Sequence, residues 1–318
     1  MQAGLLWLIL AASGLDKQTE KGVASFRPTS FESAVPETFR LEAATFDFER
    51  ERIRTEPTFS VWAVRFASPI VSPDPANNTV HAEYFRPTGA GRRPAVVVLH
   101  ILGADFALSR YLAARLAERG VAALFVKLPY YGERRPAGGA QRFLSADIDR
   151  SITSMRQGVC DVRRAVAWLA SQPEVDPDRL GVTGISLGGI VAAVAAAVDP
   201  TLNSAALLLA GGDLADILWS MPEASRYRER WIASGRTRAD LEALTRPFDP
   251  LTYAPRLKAK RVMMIAGKVD EVIPPSSVMS LWEAAGRPPI RWYDCGHYSA
   301  ASFLLPALRH TVDFFAAD

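Results

Sequence analysis

From residue 95 onward, short apolar runs rich in β-branched residues alternate with stretches of helical period, and this rhythm limits the fold more than any other feature of the chain. Residues 95–99 (AVVVL) form a continuous run of the kind that suits a strand buried on both faces. Residues 106–119 (FALSRYLAARLAER) have helical periodicity and stop at Gly120, a good helix terminator. Residues 121–126 (VAALFV) read as the next strand and 148–170 as a long helix with Val159, Val162, Ala165, Val166 and Leu169 on one face. Strands are expected again at 180–183, 205–209, 261–266 and 289–293, and helices at 187–198, 276–285 and 300–315. This is the spacing of βαβ units, so an α/β fold is expected, with a mostly parallel sheet covered by helices on both faces. Ligands in such sheets bind beyond the carboxyl ends of the strands.

The remaining segments are ordered around that core. Residues 59–318 form the expected domain, with strand character already at 61–66 and 80–85. Residues 213–250 break the rhythm with Trp219, Met221, Tyr227, Trp231 and many charges, and are read as a small helical cap insertion. Residues 15–58 are polar and weakly periodic, with Pro28, Pro36 and Pro57 as breakers, and are read as an N-terminal extension wrapped on the surface. Residues 1–14 hold an apolar run too short to span a bilayer. It has the length and small-residue exit of an export signal but lacks the basic residues that normally precede one. A secreted or periplasmic protein and a cytoplasmic one with a packed first helix both fit.

Composition removes several classes. The 318 residues carry a net charge of +3 with no dense Lys/Arg tract, which argues against a nucleic-acid partner. With two cysteines, Cys160 and Cys295, a disulfide framework is excluded and both are read as core. No stable membrane span and no metal or organic cofactor are expected. The sequence does not specify an oligomeric state.

Chemistry points to Gly184-Ile-Ser186-Leu-Gly188, a G-x-S-x-G pattern between an apolar strand and a helix of small residues. A serine there sits on a tight, strained turn that projects its hydroxyl over the sheet edge, and the following helix points its positive end at the site. Serine needs a base to take its proton. Of four histidines, His297 lies on a loop just after the last strand. His310 lies in the closing helix, His81 lies before the α/β core and His100 lies at a strand end before Ser186. Asp270, beyond the strand RVMMIA, is the expected acid. Asp213 is the rival, better read as a helix N-cap, and Glu271 is a weaker one.

The segments HILGAD (100–105), GISLGG (184–189), GKVDEVIPP (267–275) and CGHYS (295–299), in this order, resemble the α/β-hydrolase superfamily. Within it they resemble the dienelactone hydrolase and acetyl xylan esterase branch. The resemblance implies an α/β-hydrolase fold and a serine-dependent carboxylic ester hydrolase acting on small-molecule esters. It also implies that the backbone N–H groups of Ile101 and Leu187 form an oxyanion hole. Dienelactone hydrolases carry cysteine where this chain has Ser186, so lactone specificity does not carry over. The His-Gly-Gly-Gly motif of many lipases is absent. Tyr130, Tyr131, Arg134 and Trp219 are candidate pocket residues, with Arg134 placed to meet a substrate carboxylate. A turn with packed aromatics, and solvated surface for Arg134, are the plainer readings. A peptidase of the prolyl-oligopeptidase kind, which usually carries a propeller, and a non-catalytic binding protein on the same fold are the competing functions.

Overall fold

The computed structural model describes residues 18–103, 106–139, 142–145, 148–221 and 224–317. The segment 1–14, expected as an export signal or first helix, lies outside the described residues. The described chain begins with β1 (Thr19–Phe26), β2 (Ala44–Thr55), β3 (Phe59–Ala67) and β4 (Thr79–Pro87). It continues through β5 (Arg93–Leu99), α1 (Ala107–Glu118), β6 (Ala122–Val126), α2 (Ile148–Ala170), β7 (Val175–Ile185), α3 (Leu187–Val198) and β8 (Ser204–Leu208). Short helices α4 (Leu214–Ser220), α5 (Ser225–Ala233), α6 (Arg238–Thr245) and α7 (Pro250–Tyr253) follow. The chain closes with β9 (Arg261–Gly267), α8 (Pro275–Ala284), β10 (Ile290–Tyr293) and α9 (Leu304–Ala316).

Among the described residues the strands form one sheet in the order β1-β2-β3-β4-β6-β5-β7-β8-β9-β10. Every neighbour from β6 to β10 is parallel, and every joint from β1 to β6 is antiparallel. The chain steps from β5 outward to β6, then back past β5 to β7. Right-handed crossovers therefore put α1 on one face and α2, α3 and α8 on the other. Alternate strand residues feed two cores. Val97, Leu99, Leu124, Val126, Val182 and Leu207 pack with α2, α3 and α8. Val96, Val98, Ala123, Phe125, Ile185 and Leu208 pack with α1 and α9. Both faces are apolar because both are covered, which explains continuous runs such as AVVVL. The direction reverses between β5 and β7, and in open α/β sheets the crevice at that point is where ligands bind.

The expected surface extension differs from what is observed. Residues 19–26 and 44–55 are β1 and β2, an antiparallel addition to the sheet edge. Phe26, Phe39 and Phe46 enter the core from this region. Their signal is weak because β1 at the sheet edge and β2 beside it bury few side chains and the rest are mostly polar or charged, as in the stretch FERERIRT of β2. Arg163 on α2 anchors the connecting segment from the inside. Its guanidinium donates to both Glu32 carboxylate oxygens at 2.9 and 2.8 Å, to the Phe39 carbonyl at 2.7 Å and to Asp199 at 3.2 Å.

The segment 213–250 holds α4, α5 and α6 and runs into the start of α7. Its two ends meet at the buried carboxylate of Asp249. That group accepts from the N–H groups of Asp213 (3.1 Å), Leu214 (2.6 Å) and Leu251 (2.8 Å).

Candidate active site

Ser186 occupies the turn between β7 and α3, with φ 54° and ψ −118°. A side chain there is strained by about 1–3 kcal/mol, a conformation held only when its surroundings force it. The surroundings are glycines packed too closely for any Cβ. A Cβ on Gly184 would lie 2.3 Å from the Gly188 backbone, and one on Gly188 would lie 2.6 Å from the His100 carbonyl oxygen. Strand, helix and the loop after β5 can therefore converge on one point. Leu187, the first residue of α3, has an N–H with no intrahelical acceptor one turn back, on the positive end of the helix.

His297 and Asp270 meet Ser186 from the ends of β10 and β9. Ser186 Oγ lies 2.9 Å from His297 Nε2. His297 Nδ1 lies 2.9 Å from Asp270 Oδ2 and 3.1 Å from Oδ1. A carboxylate can only accept, so Nδ1 carries the proton and Nε2 is free to accept from the hydroxyl. Asp270 is itself buried and held: Oδ1 accepts from Val272 N–H at 2.9 Å and Ile273 N–H at 2.7 Å. A hydroxyl, an imidazole and a fixed carboxylate in this order can pass a proton from oxygen to ring and stabilise the ring's charge. Asp213 instead caps α4, accepting from Asp216 N–H at 3.0 Å. Glu271 turns to the main chain, where its Oε2 accepts from His297 N–H at 2.8 Å.

The loop after β5 brings Ile101 to the same sheet edge. Its neighbour His100 is fully buried. His100 Nε2 accepts from Leu128 N–H at 3.0 Å, so Nδ1 carries the proton and donates to the Ile101 carbonyl at 2.7 Å. Burial, which penalises the charged ring, pulls its pKa down to about 4. Tyr131 packs edge-on against the ring with centroids 4.5 Å apart, and its hydroxyl accepts from Gly103 N–H at 3.4 Å. His100 therefore ties the Ile101 loop to the loop after β6. Sequence reasoning gave it no role. The available signal was its place directly at the end of a fully buried strand, where an imidazole needs partners for both nitrogens.

Two pocket expectations are corrected. Arg134 is neither solvated surface nor open to a substrate carboxylate. It has no exposure, lies 2.8 Å from Asp161 on α2, and donates to the carbonyls of Lys127 (3.0 Å) and Asn77 (2.8 Å). The pair with Asp161 is close but poorly aligned for a hydrogen bond. Tyr130 is also buried, at φ 66°, with its N–H donating to Asn77 Oδ1 at 3.0 Å. Both residues anchor the loop after β6 because this end of the sheet is closed over by residues 68–78, far away in sequence. Trp219 is half-buried on α4, and its carbonyl accepts from Arg228. Leu102, Val269 and Tyr298, next in the chain to Ile101, Asp270 and His297, have exposed side chains. Both cysteines are buried and unbridged. Among the described residues no cluster of three His, Cys, Asp or Glu could hold a metal ion, and no helix is long and apolar enough to cross a membrane.

The sheet of ten strands among the described residues, covered on both faces and with a serine elbow at its switch point, is the α/β-hydrolase fold. Solved structures with the same fold include acetyl xylan esterase 1 from Thermoanaerobacterium sp. (TM-score 0.65, 21% identity, 84% of this chain and 87% of that one). An acetyl xylan esterase from Paenibacillus sp. is equally similar (TM-score 0.68, 21% identity, 84% and 88%). Residues 80–287, more than half of the chain, match the model of the dienelactone hydrolase family, and the chain belongs to that family. A curated relative, an uncharacterised protein of Mycobacterium tuberculosis, is 30% identical over 184 residues, covering 57% of this chain and 43% of its own length. The chain thus spans less than half of that relative.

Proposed function

We propose that this protein is a serine-dependent carboxylic ester hydrolase, with Ser186 as nucleophile, His297 as general base and Asp270 as the acid that orients the base. The observation that carries the reading is the hydrogen-bonded chain from Ser186 Oγ to His297 Nε2 (2.9 Å) and from His297 Nδ1 to Asp270 (2.9 Å). Membership of a hydrolase family and a fold shared with esterases support it.

In this reading Ser186 attacks the ester carbonyl as His297 takes its proton. Asp270 keeps the ring in the right tautomer and stabilises its charged form. The N–H groups of Ile101 and Leu187 receive the oxyanion of the tetrahedral intermediate, a contribution of about 10²–10³ in rate per donor. His297 then gives its proton to the leaving alcohol. Water, activated by the same imidazole, releases the acyl group from Ser186. Tyr131 and Trp219 are assigned to the walls around the substrate. The resemblance to acetyl esterases favours a small-molecule ester with a short acyl group.

The test is hydrolysis of short-chain aryl esters together with labelling by a fluorophosphonate. The wild type is expected to turn over and to label at Ser186, and Ser186→Ala to do neither. Equal turnover by both proteins would remove Ser186 from the chemistry.

A further inference from the structure

We propose that Glu271 is a positioning residue: it clamps the main chain of the turn that presents His297, so that adjacent carboxylates hold one histidine by two handles. The inference rests on the triad reading above. Asp270 holds the imidazole, whereas Glu271 holds the backbone, with Oε2 accepting from His297 N–H at 2.8 Å.

The neighbouring sequence is built for this contact. A Cβ on Gly296 would lie 2.2 Å from Glu271 Oε2, so a glycine there is what lets the carboxylate reach the turn. The rest of the turn is closed by its own short bonds, Gly296 N–H to Ser299 Oγ at 2.8 Å and Ala300 N–H to the Gly296 carbonyl at 3.1 Å. Those bonds shape the turn but do not fix it against the loop after β9. Glu271 does so at the histidine itself, whereas Val269 N–H to the Cys295 carbonyl (3.2 Å), Lys268 N–H to the Tyr293 carbonyl (2.9 Å) and the Lys268–Asp294 ion pair (2.7 Å) tie only the residues before it. The clamp lies on the exposed rim, where Glu271, Tyr298 and Ser299 face solvent. Water can replace its bonds there at little cost to the fold. The imidazole has less latitude. It must reach Ser186 and Asp270 together, and a displacement of about 1 Å costs on the order of 10² in rate.

Glu271→Ala is therefore expected to lower kcat for an aryl ester by about 10–100-fold with KM and Tm nearly unchanged. Glu271→Gln keeps an accepting oxygen and is expected to restore most of the rate. Gly296→Ala, which pushes the carboxylate aside without removing its charge, should reproduce the loss. Gly296 does not sit at positive φ, but its Cβ would also lie 3.1 Å from the Val269 carbonyl oxygen, so this variant serves as support for Glu271→Ala, with the Gln/Ala comparison deciding. Wild-type kcat in Glu271→Ala, or equal losses in the Gln and Ala variants, overturns the clamp. Fluorophosphonate labelling of Ser186 in the wild type separates that result from failure of the triad itself, since labelling persists in the first case and is absent in the second.

Discussion

Acid should weaken this fold through one buried histidine. His100 is fully buried and neutral, with its pKa near 4, against 6.5 for the free side chain. On acidification the unfolded chain takes up this proton first. The stabilising contribution is therefore complete above pH 6.5 and is lost as pH falls toward 4. Each pKa unit corresponds to about 1.4 kcal/mol, so the full loss is about 3 kcal/mol, and about 2.5 kcal/mol of it is already gone at pH 4.5. The structural cause is specific. A second proton would sit on Nε2 and face the Leu128 N–H, donor against donor. His100→Gln keeps one donor and one acceptor but does not titrate. Urea unfolding of both proteins, followed by tryptophan fluorescence from pH 7.5 to 4.5, should show a wild-type slope steeper by about 1.4 kcal/mol per pH unit within the window. His81 and His310, both also lowered by burial, and Asp161 and Asp249, both raised by burial, are common to the two proteins and cancel. Parallel pH profiles would refute the claim that His100 is held neutral by its site.

Two further expectations concern groups around the site. Asp161→Leu leaves Arg134 buried without its counter-charge and should cost about 3–5 kcal/mol, whereas adding Arg134→Met should recover part of that loss. Denaturant midpoints decide it, and a double variant no more stable than Asp161→Leu alone would contradict it. Ser186→Gly should abolish ester turnover yet raise stability by about 1 kcal/mol, because glycine accepts φ 54° without the strain a side chain suffers there. A lowered unfolding midpoint would show that the elbow is not strained in the way its backbone angles imply.

Much of the molecule is legible in the chain because the relevant physics is local. A run such as AVVVL needs no partner to declare itself a doubly buried strand, and glycines around Ser186 declare a tight turn wherever the chain folds. The order of Ser186, Asp270 and His297, each just past an apolar run, then follows from parallel strands ending on one edge. The tertiary structure alone decided what depends on distant partners. Residues 19–26 and 44–55 become strands because an open sheet edge accepts them, although few of their side chains are apolar. Arg134 reads as surface but is buried, since its ion-pair partner Asp161 comes from another element. Glu271 and His297, 26 residues apart, form a bond that nothing in either segment announces. A pattern records how one residue sits in its own helix or strand. Which charges end up buried, and against what, is settled only when the layers pack.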